Sequence, residues 1–111
     1  MSHGLPAPVI DRIQQVLDRH PAVHRAVLYG SRAKRCHREG SDIDLTLQGD
    51  QLDDRSLNRI ANELDDLLLP WQIDLCHFDR LTHLELVAHI QRVGLVLYER
   101  ESEREAVRVA A

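Results

Sequence analysis

Apolar side chains recur along this chain with two different periods, and each change of period marks a change of element. From Pro8 onward, Val9, Ile10, Ile13, Val16 and Leu17 fall at helical spacing. A proline in the first turn suits a helix start, because the N–H it lacks would have no partner there. This helix is expected to end near His20-Pro21. Val23 to Tyr29 is a short apolar run that stops at Gly30-Ser31, so a first strand gives way to a tight turn. Arg35 to Gly40 is a polar connection. From Ser41 to Leu47 the period is two: Asp42, Asp44 and Thr46 share one face, and Ile43, Leu45 and Leu47 share the other.

Gly49-Asp50 reads as a turn, and Asp53 or Asp54 as the N-cap of a second helix. Its stripe is Leu57, Ile60, Ala61, Leu64, Leu67 and Leu68, and Pro70 is expected to close it. Leu67-Leu68-Leu69-Pro70-Trp71 is more apolar than one helix face requires, which leaves core burial and a partner surface both open. Trp71 to Cys76 reads as a third strand with one acidic residue, Asp74. Thr82-His83-Leu84-Glu85 has the form of a capping box opening a third helix, with Leu84, Val87, Ile90 and Val93 on its inner side. Gly94 is expected to end that helix and Leu95 to Tyr98 to form a last strand. This order predicts an α+β fold with a mixed sheet and helices packed mainly on one side. The division is a flexible lead over residues 1–8, a domain over 9–98, and a polar tail over 99–111, frayed or helical only when bound.

Charge and cysteine usage narrow the function classes. A chain of 111 residues suits one domain. The net charge of -4 argues against a broad nucleic-acid surface, and Arg32, Lys34, Arg35 and Arg38 form a local patch sized for one triphosphate. No apolar run approaches the roughly 20 residues that cross a bilayer, and Met1 to Pro6 lacks signal-peptide character, so a cytoplasmic location is expected. Cys36 and Cys76 are far apart and are expected to be free thiols. Each precedes a histidine, but neighbours on a strand point to opposite faces, which speaks against a shared zinc.

The candidate chemistry rests on three features in a fixed order. A strand ending in Gly30-Ser31 and feeding Arg32 and Lys34 offers backbone N–H groups and cations to a phosphate. Asp42 and Asp44 on one strand face repel, and a hard divalent cation is the usual relief. Asp74, inside an apolar strand, is costly unless paired or bound to metal, so it is either a third metal carboxylate or the partner of a nearby arginine. Each feature alone is ordinary, since an Asp-x-Asp strand with one wet face is common. Together they describe one site for a nucleoside triphosphate and magnesium.

Gly30-Ser31-Arg32-Ala33-Lys34 with Ser41-Asp42-Ile43-Asp44-Leu45 resembles the signature of the minimal nucleotidyltransferases, the MNT branch of the DNA polymerase beta superfamily. The likeness continues through Leu64 to Pro70 and Ile73-Asp74-Leu75, and spans about residues 9–98. It implies that Asp42, Asp44 and Asp74 hold two Mg2+ ions and that Gly30, Ser31, Arg32, Lys34 and Ser41 bind ATP or another nucleoside triphosphate. The implied reaction is in-line attack of a hydroxyl on the α-phosphorus with release of pyrophosphate. Many relatives carry glycine where this chain has Arg35, a change that leaves every implied ligand in place. A chain this short has no room for an acceptor-binding domain, and relatives of this size are often paired with a helical HEPN-type protein. Three roles stay open: AMP transfer to that partner as an antitoxin, masking of a HEPN toxin without catalysis, and transfer to a small molecule such as an aminoglycoside.

Overall fold

The structure, a computed structural model, describes residues 4–30 and 42–100. Within them the chain forms α1 (Ala7–Asp18), β1 (Arg25–Tyr29), β2 (Ile43–Gln48), α2 (Asp54–Asp65), β3 (Ile73–His77), a 3-10 turn (Phe78–Arg80), α3 (Leu84–Val93) and β4 (Leu95–Glu99). The strands make one sheet in the order β3-β2-β1-β4. β1 runs antiparallel to both β2 and β4, while β3 runs parallel to β2. The result is the expected α+β arrangement with a mixed sheet. Among the described residues no helix is long and apolar enough to cross a membrane.

Alternation along the strands decides what each face covers. Ala26 and Leu28 of β1 and Ile43, Leu45 and Leu47 of β2 pack with Ile13, Val16 and Leu17 of α1 and with Ile60 and Leu64 of α2. Each such side chain contributes about 1.5–3 kcal/mol when fully buried, so this layer carries most of the stability. Leu5 is fully buried in the same cluster, so packing begins before residue 9. The opposite face carries Val27 and Tyr29 of β1, and α3 lies over it through Ile90 and Gly94. Between Ala26 and Val27 the pairing to β4 shifts from Tyr98 to Val96. Leu97 is the extra residue of that bulge and joins the core.

Several boundaries differ from the sequence expectation for identifiable reasons. Asp53 caps α2, accepting the Ser56 N–H at 2.7 Å, but the helix stops at Asp65 rather than at Pro70. Leu68 then adopts a left-handed backbone (φ 55°), so it points outward at 88% exposure between Leu67 and Leu69, which stay packed. α3 begins one residue later than a capping box at Thr82 and Glu85 requires. Its cap is His83, whose Nδ1 accepts the Leu86 N–H at 3.1 Å. Leu84 therefore faces solvent at 81% exposure, and Ile90 is the buried residue of the helix. Gly94 ends α3 without a left-handed backbone. A Cβ there would run into the Ile90 carbonyl and the Val27 side chain, so close approach is what requires glycine.

β4 extends to Glu99, which pairs with Arg25, and Arg100 is tied to the turn after α1. The Arg100 N–H donates to His24 O at 2.9 Å, and its guanidinium donates to Val23 O and His20 O, each at 2.9 Å. Carbonyls of the helix end and its turn are thus tied to a residue far along the chain. The rest of the polar tail lies outside the described residues.

Candidate active site

Asp44 is the centre of the polar face. In the sheet register Tyr29 of β1 stands opposite it on one side and Asp74 of β3 on the other. Neighbouring strands lie about 4.8 Å apart, so two carboxylates on one face of adjacent strands are brought side by side. Asp42 stands just ahead of β2, two residues before Asp44, and is exposed. Burial first, then Asp74, then Asp42 push the Asp44 carboxyl above its ordinary 3.8. Asp74 itself is exposed, because β3 is an edge strand. The burial expected to make Asp74 costly therefore falls on Asp44 instead.

Gly30 follows β1 and lies against this carboxylate. Its backbone is left-handed (φ 77°), and a Cβ would collide with Asp44 Oδ2, so both conformation and space call for glycine. The Gly30 N–H donates to His89 Nε2 at 3.2 Å, so this amide already has a partner on α3. The phosphate-binding role expected of Ser31, Arg32, Lys34 and Ser41 falls outside the described residues, as does Cys36.

Behind the carboxylates lies a layer of half-buried groups. The Tyr29 ring meets His89 edge-on, with centroids 6.4 Å apart and planes at 79°. The Tyr29 hydroxyl is 3.6 Å from Cys76 Sγ, and burial first, then Cys76, Asp44 and Asp74 hold its proton on far above the usual range. Fully buried Thr46 donates to Cys76 O at 3.4 Å and closes the floor. Cys76 is a free thiol as expected. His77 has a different role from metal binding: it is buried, with Nε2 3.1 Å from Gly49 O and 3.4 Å from the Asp79 carboxylate.

His89 is the site residue that sequence reasoning passed over. It sits three positions after Leu86 and one before Ile90, on the inward side of α3. A histidine on the packed stripe of a helix was the signal available, since a polar group there needs a partner.

Among the described residues no three carboxylate, histidine or cysteine side chains are grouped closely enough to form a metal cage unaided. The donor set nevertheless fits a hard divalent cation. Burial is the largest cause of the raised Asp44, but Asp74 and Asp42 add to it, which is the mutual repulsion that such an ion relieves, and the candidate donors are all oxygen.

The profile of the family described as "Polymerase beta, Nucleotidyltransferase" matches residues 11–103, and the chain belongs to that family. No curated protein matches its sequence. Among solved structures, the chain is similar to a toxin–antitoxin complex with AMP-PNP (22% identity, TM-score 0.67, covering 91% of this chain and 82% of that one). It is also similar to the toxin–antitoxin MntA–HepT (20%, 0.64, 95% and 82%). A third likeness is to the tri-AMPylated Shewanella oneidensis HEPN toxin in complex with MNT antitoxin (21%, 0.63, 89% and 76%). At these identities the likeness is one of fold.

Proposed function

We propose that this nucleotidyltransferase moves AMP from ATP to a hydroxyl on, or presented by, a HEPN-type helical partner, in the cytoplasm and with magnesium. The observation that carries this reading is the register Tyr29–Asp44–Asp74, with Gly30 folded against the central carboxylate. Asp42, Asp44 and Asp74 would hold two Mg2+ ions, whose chemistry is to neutralise charge on the attacking and leaving oxygens. Ser31, Arg32, Lys34 and Ser41 bind the triphosphate. The acceptor oxygen forms a bond to the α-phosphorus as the bond to pyrophosphate breaks. Asp74 takes the acceptor's proton, a role that its exposure at the sheet edge supports. The likeness to MNT antitoxins seen with HEPN toxins, one of them AMPylated, supports the choice of partner and of AMP.

The test is to co-express the chain with a candidate HEPN-type partner protein, add ATP and Mg2+, and weigh both proteins by intact mass spectrometry. One or more AMP units on the partner, absent with Asp42→Ala or Asp44→Ala, is the expected result. A stable complex that never gains mass would overturn transfer in favour of masking or a small-molecule acceptor.

A further inference from the structure

Three observations meet at His89. Its Nε2 accepts the Gly30 N–H at 3.2 Å. The residue it holds, Gly30, has no room for a Cβ because the Asp44 carboxylate fills that space. Its ring abuts Tyr29, the strand partner of Asp44. A nitrogen that accepts a hydrogen bond carries no proton itself, so His89 acts here as a fixed acceptor.

We propose that His89 is a positioning residue of the transfer site: from α3 it holds the Gly30 peptide against Asp44 and so sets where that carboxylate stands relative to Asp74. Gly30 accordingly supplies room and backbone direction, and its amide serves His89 rather than a phosphate. α3 becomes part of the site without touching substrate. The kinetic arm of the test rests on the proposed transfer reaction; the other two arms do not.

The experiment compares wild type, His89→Ala and His89→Gln, the last of which keeps an acceptor oxygen near the place of Nε2. Amide hydrogen exchange read by NMR should show Gly30 protected in the wild type, at least about tenfold faster in His89→Ala, and slowed again in His89→Gln. Ile90 should stay equally protected in all three, which separates loss of the clamp from loss of α3. Mn2+ affinity, read by water-proton relaxation and needing no acceptor, should weaken several-fold in His89→Ala and recover in His89→Gln. The AMP transfer rate at saturating ATP should fall about tenfold in His89→Ala with little change in the KM for ATP, and the glutamine should restore it. Unchanged Gly30 exchange, or unchanged Mn2+ affinity despite faster exchange, would overturn the proposal. A wild type that transfers nothing would sink the transfer reading, while the exchange and Mn2+ arms would still decide the role of His89.

Discussion

On one face of the sheet Leu28, Ile43, Leu45 and Leu47 are at most 1% exposed beneath α1 and α2, whereas the other face holds Tyr29, Asp44, Asp74 and Cys76 in partial contact with water. The same strands build both, so adjacent residues such as Asp44 and Leu45 meet opposite demands. The packed face supplies stability that allows its reverse to hold carboxylates which repel one another. Unfavourable charge tends to collect where a site needs it and to be offset elsewhere in the fold.

The largest expected effect separates the two faces most sharply. On the proposed reaction, in which Asp44 is a charge-stabilising metal ligand, Asp44→Ala should lower AMP transfer by about a hundred- to a thousandfold, while circular dichroism and thermal melting show a folded protein. An unfolded variant would break the comparison, because the polar face would then be carrying the fold.

One residue along the strand the expectation reverses. Leu45→Ala should cost about 2–5 kcal/mol in urea denaturation and leave the transfer rate per folded molecule near that of the wild type. A loss below about 1 kcal/mol would mean that the core is less tightly packed than its exposures indicate.

A smaller effect concerns charge alone. Burial, then Asp74, then Asp42 raise the Asp44 carboxyl above 3.8 in the folded protein, so the folded state holds that proton more tightly than the unfolded chain. Below about pH 3.8 both states are protonated and ionised Asp44 imposes no penalty. As pH rises from there through the raised folded value the penalty grows, and above that value it is fully present. Asp44→Asn should therefore melt a few degrees above wild type at pH 7 without metal, an advantage that shrinks toward pH 4 and when Mg2+ is added. Equal melting temperatures at both pH values would show that the carboxylates are screened.

The smallest change is expected outside both faces. Leu68→Asn should alter stability by no more than about 0.5 kcal/mol, since the side chain is 88% exposed and asparagine tolerates a left-handed backbone. A larger loss would reveal packing at Leu68 that its exposure does not suggest.

The sidedness of β2 could be read from sequence because a period of two is a local property, and Ile43, Leu45 and Leu47 needed only their neighbours to declare it. His89 could not be placed in that way: its partner Gly30 lies 59 residues earlier, and only the docking of α3 under β1 joins them. The exposure of Asp74 follows from β3 lying at the edge of the sheet, a fact of strand order that no short window contains. Leu68 and Leu84 looked apolar enough to be buried. One left-handed residue and a helix start displaced by one position turned them outward.

Arg100 also has a meaning in time. It bonds to carbonyls 77 and 80 positions earlier, at Val23 and His20, and it follows the strand that completes the pairing of β1. During synthesis α1 and β1 leave the ribosome early, yet neither is closed until residue 100 has emerged. Contacts this distant in sequence slow folding and make it a late, collective event. A ribosome stalled before that point would display β1 with a bare edge, open to pairing with whatever strand arrives first.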